Sequence, residues 1–398
     1  MLERSSDLAI ARSARLRPLV DVAADLGLEP DEIVPYGRDK AKIPLAALER
    51  RRDVAQGNLV AVTGITPTPA GEGKTTVAIG LADGLARSGR RAVVCLREPS
   101  VGPVFGIKGG GAGGGRSQVA PMEDVNLHFT GDIHAAGAAN NLLAAIVDAH
   151  LLHGNRRGID PATITWRRCL DVNDRALRSI VTGLGGPANG APRETGFDIT
   201  AASEVMAILA VSRDLADLRG RLGRITVART VEVEPVTAEA LGAAGAMTVL
   251  LKDALQPNLI QTLEGTPALV HTGPFANIAH GNSSLVADLL ALRLADFVVT
   301  EGGFGSEMGL EKHVDIVCRA GGLAPSAVVL VATVRGLRHH GGGELGPGCA
   351  NLARHVEIVR GFGFEPVVAV NRFPDDSDAD AGLVRAFALE HGAFAAEV

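Results

Sequence analysis

Lys74 and Arg97 are the two cations whose positions suggest chemistry on phosphate. Lys74 closes a glycine-bearing loop, Thr68-Pro69-Ala70-Gly71-Glu72-Gly73-Lys74-Thr75. An apolar run, Leu59 to Thr63, precedes the loop and a helical pattern, Val77, Ile79, Leu81, Leu85, follows it. A second apolar run, Ala92 to Leu96, delivers Arg97 and Glu98. Strand, glycine loop ending in Gly-Lys-Thr, helix and strand is the order in which a chain cradles a polyphosphate. Loop N–H groups and the positive end of the helix attract the anion. Lys74 would reach the outer phosphates, and the Thr75 hydroxyl would help to hold Mg²⁺. The usual pattern opens with glycine; here Thr68 stands in that place. Lys74 and Arg97 together would stabilise the charge that spreads over a phosphoryl group in transfer.

Other candidates are weaker. Glu98, Asp132 and Glu301 are acids that could serve Mg²⁺ or a water, each more often structural. His128, Asp132 and His134 lack a zinc spacing and read as hydrogen-bonding residues. His271 and His280 flank a loop as acid–base candidates or as satisfied histidines. Phe275, Phe304 and Phe373 each follow an apolar run in a chain that is only 3% aromatic. They are core packing or a flat slot for a ring, and Phe304, set between two glycines, is the best case for the slot.

These residues need a frame. Besides the first two runs, Ala268–His271, Phe297–Thr300, Ala327–Ala332 and Pro366–Val370 are apolar and each opens into a polar or glycine loop. Six such runs with helices between them predict an α/β fold, a parallel sheet with helices on both faces. In such sheets ligands gather beyond the carboxyl ends of the strands. The predicted unit is a P-loop NTPase-like domain over 1–375, with a mainly helical insertion at about 140–265. Residues 376–398 are predicted to begin a second domain.

The 398 residues are enough for a large core. A net charge of −6 with few aromatics argues against a nucleic-acid binder. No apolar run looks long enough to cross a bilayer, and residues 1–28 read as amphipathic helix, so a cytoplasmic protein with no membrane partner is expected. The four cysteines share no C-x-x-C spacing and read as small buried residues.

Long segments resemble the formate–tetrahydrofolate ligase (10-formyltetrahydrofolate synthetase) family. They begin at Thr66 (TPTPAGEGKTT), Arg97 (REPSVGPVFGIKGGGAGGG), Pro121 (PMEDVNLHFTGDIHAAGAANNLLAA), Ile164, Arg193, Lys252 and Thr300 (TEGGFGSEMGLEKH). The resemblance implies attack of formate on the γ-phosphate of MgATP, then transfer of the formyl group from formyl phosphate to N10 of tetrahydrofolate. It implies that residues 68–75 hold ATP, that Lys74 and Arg97 steady the phosphoryl group, and that Phe304 and Phe373 stack on the pterin. It further implies a cytosolic homotetramer activated by a monovalent cation. Family members continue beyond the position of Val398 with a tryptophan that walls the folate slot, whereas the one tryptophan here is Trp166. The alternative expectations are therefore a phosphoryl-transfer ATPase, an inactive remnant, or an ATP-binding subunit that needs a separate C-terminal chain.

Overall fold

The computed structural model of the chain describes residues 6–106 and 110–398. Gly109, the first glycine of the long glycine run, and the start of the amphipathic N-terminal pattern lie outside the described residues. The six apolar runs all form strands of one twelve-stranded sheet, of which eight strands matter to the site. In chain order these are β1 (Asn58–Gly64), β2 (Ala92–Leu96), β3 (Asn258–Thr262), β4 (Pro267–Val270), β5 (Phe297–Glu301), β6 (Ala327–Ala332), β7 (Pro366–Val370) and β8 (Ala395–Glu397). Their order across the sheet is β3-β4-β2-β5-β1-β6-β7-β8. From β4 to β8 every neighbouring pair is parallel.

Alternate residues of each strand enter opposite cores, as the two-residue period of a strand requires. Val60, Val62, Val94, Leu96 and Val299 pack with Ala78, Ile79 and Ala82 of helix α1 (Lys74–Arg87). Leu59, Val93, Cys95 and Val298 pack on the other face, in a core that includes Leu290 and Leu294. The predicted layering therefore holds, with three differences.

The β3 edge is antiparallel. β3 pairs antiparallel with β4, with Ala41–Lys42 and with Ser117–Ala120. β3 went unread because it is not an apolar run: Asn258, Gln261 and Thr262 are all buried. Each has a partner, in Asp132, Arg17 and Asp83 respectively. A buried polar side chain is tolerable once it is hydrogen-bonded.

The insertion is mixed rather than mainly helical, and its expected limit near 265 overruns β3. Helices α2 (Asp132–Leu152), α3 (Glu204–Val211), α4 (Leu215–Gly223) and α5 (Ala244–Leu251) share one core with Trp166. Three two-stranded ribbons accompany them, among them Ile180–Thr182 with Arg193–Thr195. Strands of three or four residues are too short to show a period of two in sequence. Helix α2 is, by length and composition, apolar enough to span a membrane, which corrects the sequence expectation. It nevertheless starts at Asp132, ion-paired to Lys42, and buries Ala136, Ala139, Leu143 and Val147 in the insertion core.

Residues 376–398 do not open a separate fold here. They form helix α9 (Asp378–Glu390) and β8, which extends the same sheet by pairing parallel with β7. Between β3 and β7 lie the remaining helices that matter to the site: α6 (Leu285–Leu294), α7 (Val334–His340) and α8 (Leu345–Gly361).

Candidate active site

Because the strands from β4 to β8 are parallel, their carboxyl ends open at one edge. β1 ends at Gly64 and runs through the loop Ile65–Gly73 into α1. Gly71 and Gly73 take left-handed backbone angles, φ 75° and 73°. Gly73 also has no room for a side chain: a Cβ there would stand 2.2 Å from Asn371 Nδ2. That amide donates to the Glu72 carbonyl at 3.0 Å. The Glu72 carboxylate turns inward. It accepts from the Thr68 N–H at 3.1 Å and hydroxyl at 2.7 Å, and from the Thr333 hydroxyl. Glu72 therefore staples the loop to the end of β6 instead of pointing at a ligand.

Lys74 is the first residue of α1. Its stem lies against Gly64, where a Cβ would be 3.2 Å from Cδ. It makes no hydrogen bond or ion pair among the described residues. Burial holds its ammonium below the usual lysine range, helped by the charge of Arg97 and opposed by Glu301. Arg97 follows β2. One Nη donates to the Pro274 carbonyl at 3.2 Å, while Nε is buried with no partner. Burial lowers its pKa as well, opposed by Glu301. Gly303 lets the guanidinium lie flat, since a Cβ there would come within 3.2 Å of an Nη.

Glu301 ends β5, the strand between β1 and β2. It accepts from the Thr75 hydroxyl at 2.8 and 3.0 Å. Two cations thus flank an acid, and neither cation is ion-paired. An unpaired charge is costly to remove from water unless an opposite charge arrives. The arrangement is an anion receptor with a hydroxyl and a carboxylate to its side, the kind of oxygen set that hard divalent ions take.

The other acids and histidines separate. Asp132 is committed to Lys42 at 2.8 Å and to Asn258 at 2.7 Å. Glu98 is buried, its Oε2 has no partner, and burial beside Asp132 drives its pKa well above the carboxylate range. His271 is satisfied by Ser284 and the Ala254 carbonyl, at 2.6 and 2.7 Å. His280 uses Nδ1 to accept from the Asn282 N–H, leaves Nε2 unpartnered, and is held to about 3 by burial. His128 and His134 meet edge-on at 6.2 Å. Among the described residues no cluster of three His, Cys, Asp or Glu gathers as a metal centre. All four cysteines are buried thiols.

The aromatics also separate. Phe304 follows β5 with a φ of 63°, a left-handed angle that non-glycine residues rarely hold. Phe373 follows β7, three strand positions from β5, or about 14 Å at the usual spacing. Its ring carries the Arg335 guanidinium 3.6 Å above its centre. Arg335 in turn donates to the carbonyls of Ala70 and Gly71 at 3.2 and 3.0 Å. The structure therefore does not bring Phe373 to Phe304; it backs the arginine that braces the glycine loop. The Phe275 N–H ties its loop to Ala201 of the insertion at 3.0 Å.

The sequence marks Thr333 and Asn371 as the openings of loops after apolar runs, and Thr66 and Ser306 lie within segments that carry the resemblance, but it gives none of them a specific role. Asn351 and His355 carry no signal in sequence.

Comparison with known proteins identifies the family. The sequence profile of the family described as formate–tetrahydrofolate ligase matches residues 5–398. The chain is 60% identical to the formate–tetrahydrofolate ligase of Roseiflexus sp. (strain RS-1), over 98% of this chain and 72% of that protein. It is 58% identical to that of Maricaulis maris (strain MCS10) and 56% identical to that of Desulforamulus reducens, with the same shares covered. With the profile spanning the sheet, the insertion and every loop at the open edge, the chain belongs to the formate–tetrahydrofolate ligase family of enzymes.

Proposed function

We propose that the chain ligates formate to tetrahydrofolate at the expense of ATP, through formyl phosphate. One observation carries the reading: Lys74 and Arg97 converge beside Glu301 and both lack a counter-ion. The loop Thr68–Thr75 is read as a P-loop. Its glycines at 71 and 73 let the backbone approach the phosphates, and the first N–H groups of α1 have no acceptor within the helix. The Thr75 hydroxyl and Glu301 would hold Mg²⁺, which supplies charge neutralisation on the phosphate chain.

In the first half-reaction a formate oxygen attacks the γ-phosphorus and ADP leaves. Lys74 and the Arg97 guanidinium stabilise the equatorial oxygens, already positioned and partly stripped of water. In the second, N10 attacks the formyl carbon, the carbon–oxygen bond to phosphate breaks, and N10 gives up its proton. Phe304 would stack on the pterin. Holding it at a strained backbone angle suits a residue placed for contact. Val181 and Leu184 of the insertion ribbon are exposed, which supports assembly into the homotetramer that the resemblance implies.

Calorimetry with MgATP on the wild type and Lys74→Ala tests the reading. Loss of a charge-assisted contact predicts affinity weaker by about 10–100-fold. Equal affinity in both proteins would reject the loop as the nucleotide site.

A further inference from the structure

Thr66 opens the glycine loop and is gripped through every polar group it has. Asn351 donates to its Oγ1 at 2.9 Å and accepts from its N–H at 3.4 Å. His340 Nε2 meets its carbonyl at 2.8 Å. His355 Nε2 meets its hydroxyl at 2.9 Å. Asn351 and His355 are four residues apart on α8 and so share one face of that helix.

His355 reaches the other way as well. Its Nδ1 lies 2.6 Å from Ser306 Oγ and 3.6 Å from Glu307 Oε2. Its ring is pressed onto Gly305, where a Cβ would stand 2.9 Å from Cε1. Ser306 is fully buried and begins a π-helical stretch, Ser306–Leu310, directly after Phe304 and Gly305. π-turns in otherwise α-helical segments concentrate at functional sites.

We propose that His355 is a positioning residue that couples the nucleotide loop to the Phe304 loop, an inference that rests on reading residues 68–75 as the nucleotide site. The ring is 2% exposed and held neutral, its pKa lowered to about 4 by burial. In either tautomer one nitrogen serves Thr66 and the other serves Ser306. If one loop shifts alone, a buried polar atom is left unpaired, which a low-dielectric interior penalises. The two loops therefore move together. Ordering of the glycine loop by phosphate is passed to the backbone that aims Phe304, so nucleotide binding prepares the pterin wall.

Hydrogen-exchange mass spectrometry on the full chain, with and without saturating MgADP, tests this. In the wild type, nucleotide is expected to slow exchange across 302–310 by about fivefold or more. His355→Ala should bind MgADP by calorimetry yet leave that segment's exchange unchanged on binding. Ser306→Ala removes the far end of the link without touching the glycine loop, and decides the matter if His355→Ala does not fold. It should show the same uncoupling, with an MgADP Kd within about threefold of wild type. Wild-type protection of 302–310 in either folded variant overturns the proposal, as does bound nucleotide that leaves the wild-type segment unchanged. A wild-type chain that gives no binding heat overturns instead the nucleotide reading beneath it.

Discussion

Replacing Asp288 with asparagine should stabilise the protein, and by an amount that grows with pH. Asp288 lies on α6, fully buried, and neither carboxylate oxygen has a hydrogen-bond partner. Cys95, Cys318 and Thr300 surround it, and none of them carries a compensating charge. Burial raises its pKa from 3.8 to about 7. The folded chain therefore keeps a proton that the unfolded chain releases, so stability falls as pH rises from 3.8 to 7 and changes no further above. At 1.36 kcal/mol per pKa unit, the cost above pH 7 is about 4 kcal/mol. An amide of the same shape carries no such dependence. The stability difference between Asp288→Asn and wild type, read from urea midpoints, should widen by roughly 2–3 kcal/mol between pH 5 and pH 8. Groups that do not sense Asp288 cancel in that difference, and Cys95 and Cys318, which do, have thiol pKa values raised by burial. A gap that is flat in pH would show that Asp288 is solvated or paired in the folded state, and the argument from burial would fail.

Two substitutions at the open edge follow from local geometry. Gly64→Ala places a methyl 3.2 Å from Lys74 Cδ and 3.4 Å from Cγ, so the lysine stem must shift. Melting temperature should barely change while MgATP affinity by calorimetry falls about 3–10-fold; unchanged affinity would mean that the ammonium position does not matter. Phe304→Gly relaxes a φ of 63° but removes the ring. Tetrahydrofolate binding, followed by fluorescence, should weaken at least about tenfold; an unaltered affinity would remove Phe304 from the pterin site.

The parts of the site legible in sequence are those reached by short connections. In a parallel sheet the residue that follows an apolar run stands at the ligand edge, so Arg97, Glu301 and Phe304 could be placed from the strand pattern alone. Lys74 followed from the loop and the helix behind it. For Phe373 the strand end fixes which edge the residue occupies, not which neighbour it meets, and in the structure its ring meets Arg335. β3 failed for the opposite reason, since its Asn, Gln and Thr are buried against partners far along the chain, Gln261 reaching Arg17 across 244 residues.

What tunes the site is non-local throughout. Glu72 meets Thr333 across 261 residues and Asn371 meets Glu72 across 299. His355 meets Thr66 across 289. None of these pairs has a period, a spacing or a composition by which one sequence reveals it. This division follows from the chemistry required. On the proposed reading the two cations receive an anion and so stay unpaired, and their places are set by backbone, helix start and glycine clearance rather than by side-chain partners. The loop that carries Lys74 is held by hydrogen bonds from residues at the ends of β6 and β7 and from α8, and its one acid, Glu72, spends its carboxylate on Thr68 and Thr333. A carboxylate brought within contact of Lys74 or Arg97 would steady the cation and, on the proposed reading, compete with the incoming anion. Glu301 avoids this by engaging Thr75 at 2.8 Å, so its charge is felt by both cations while its oxygens are directed to the hydroxyl between them and the loop.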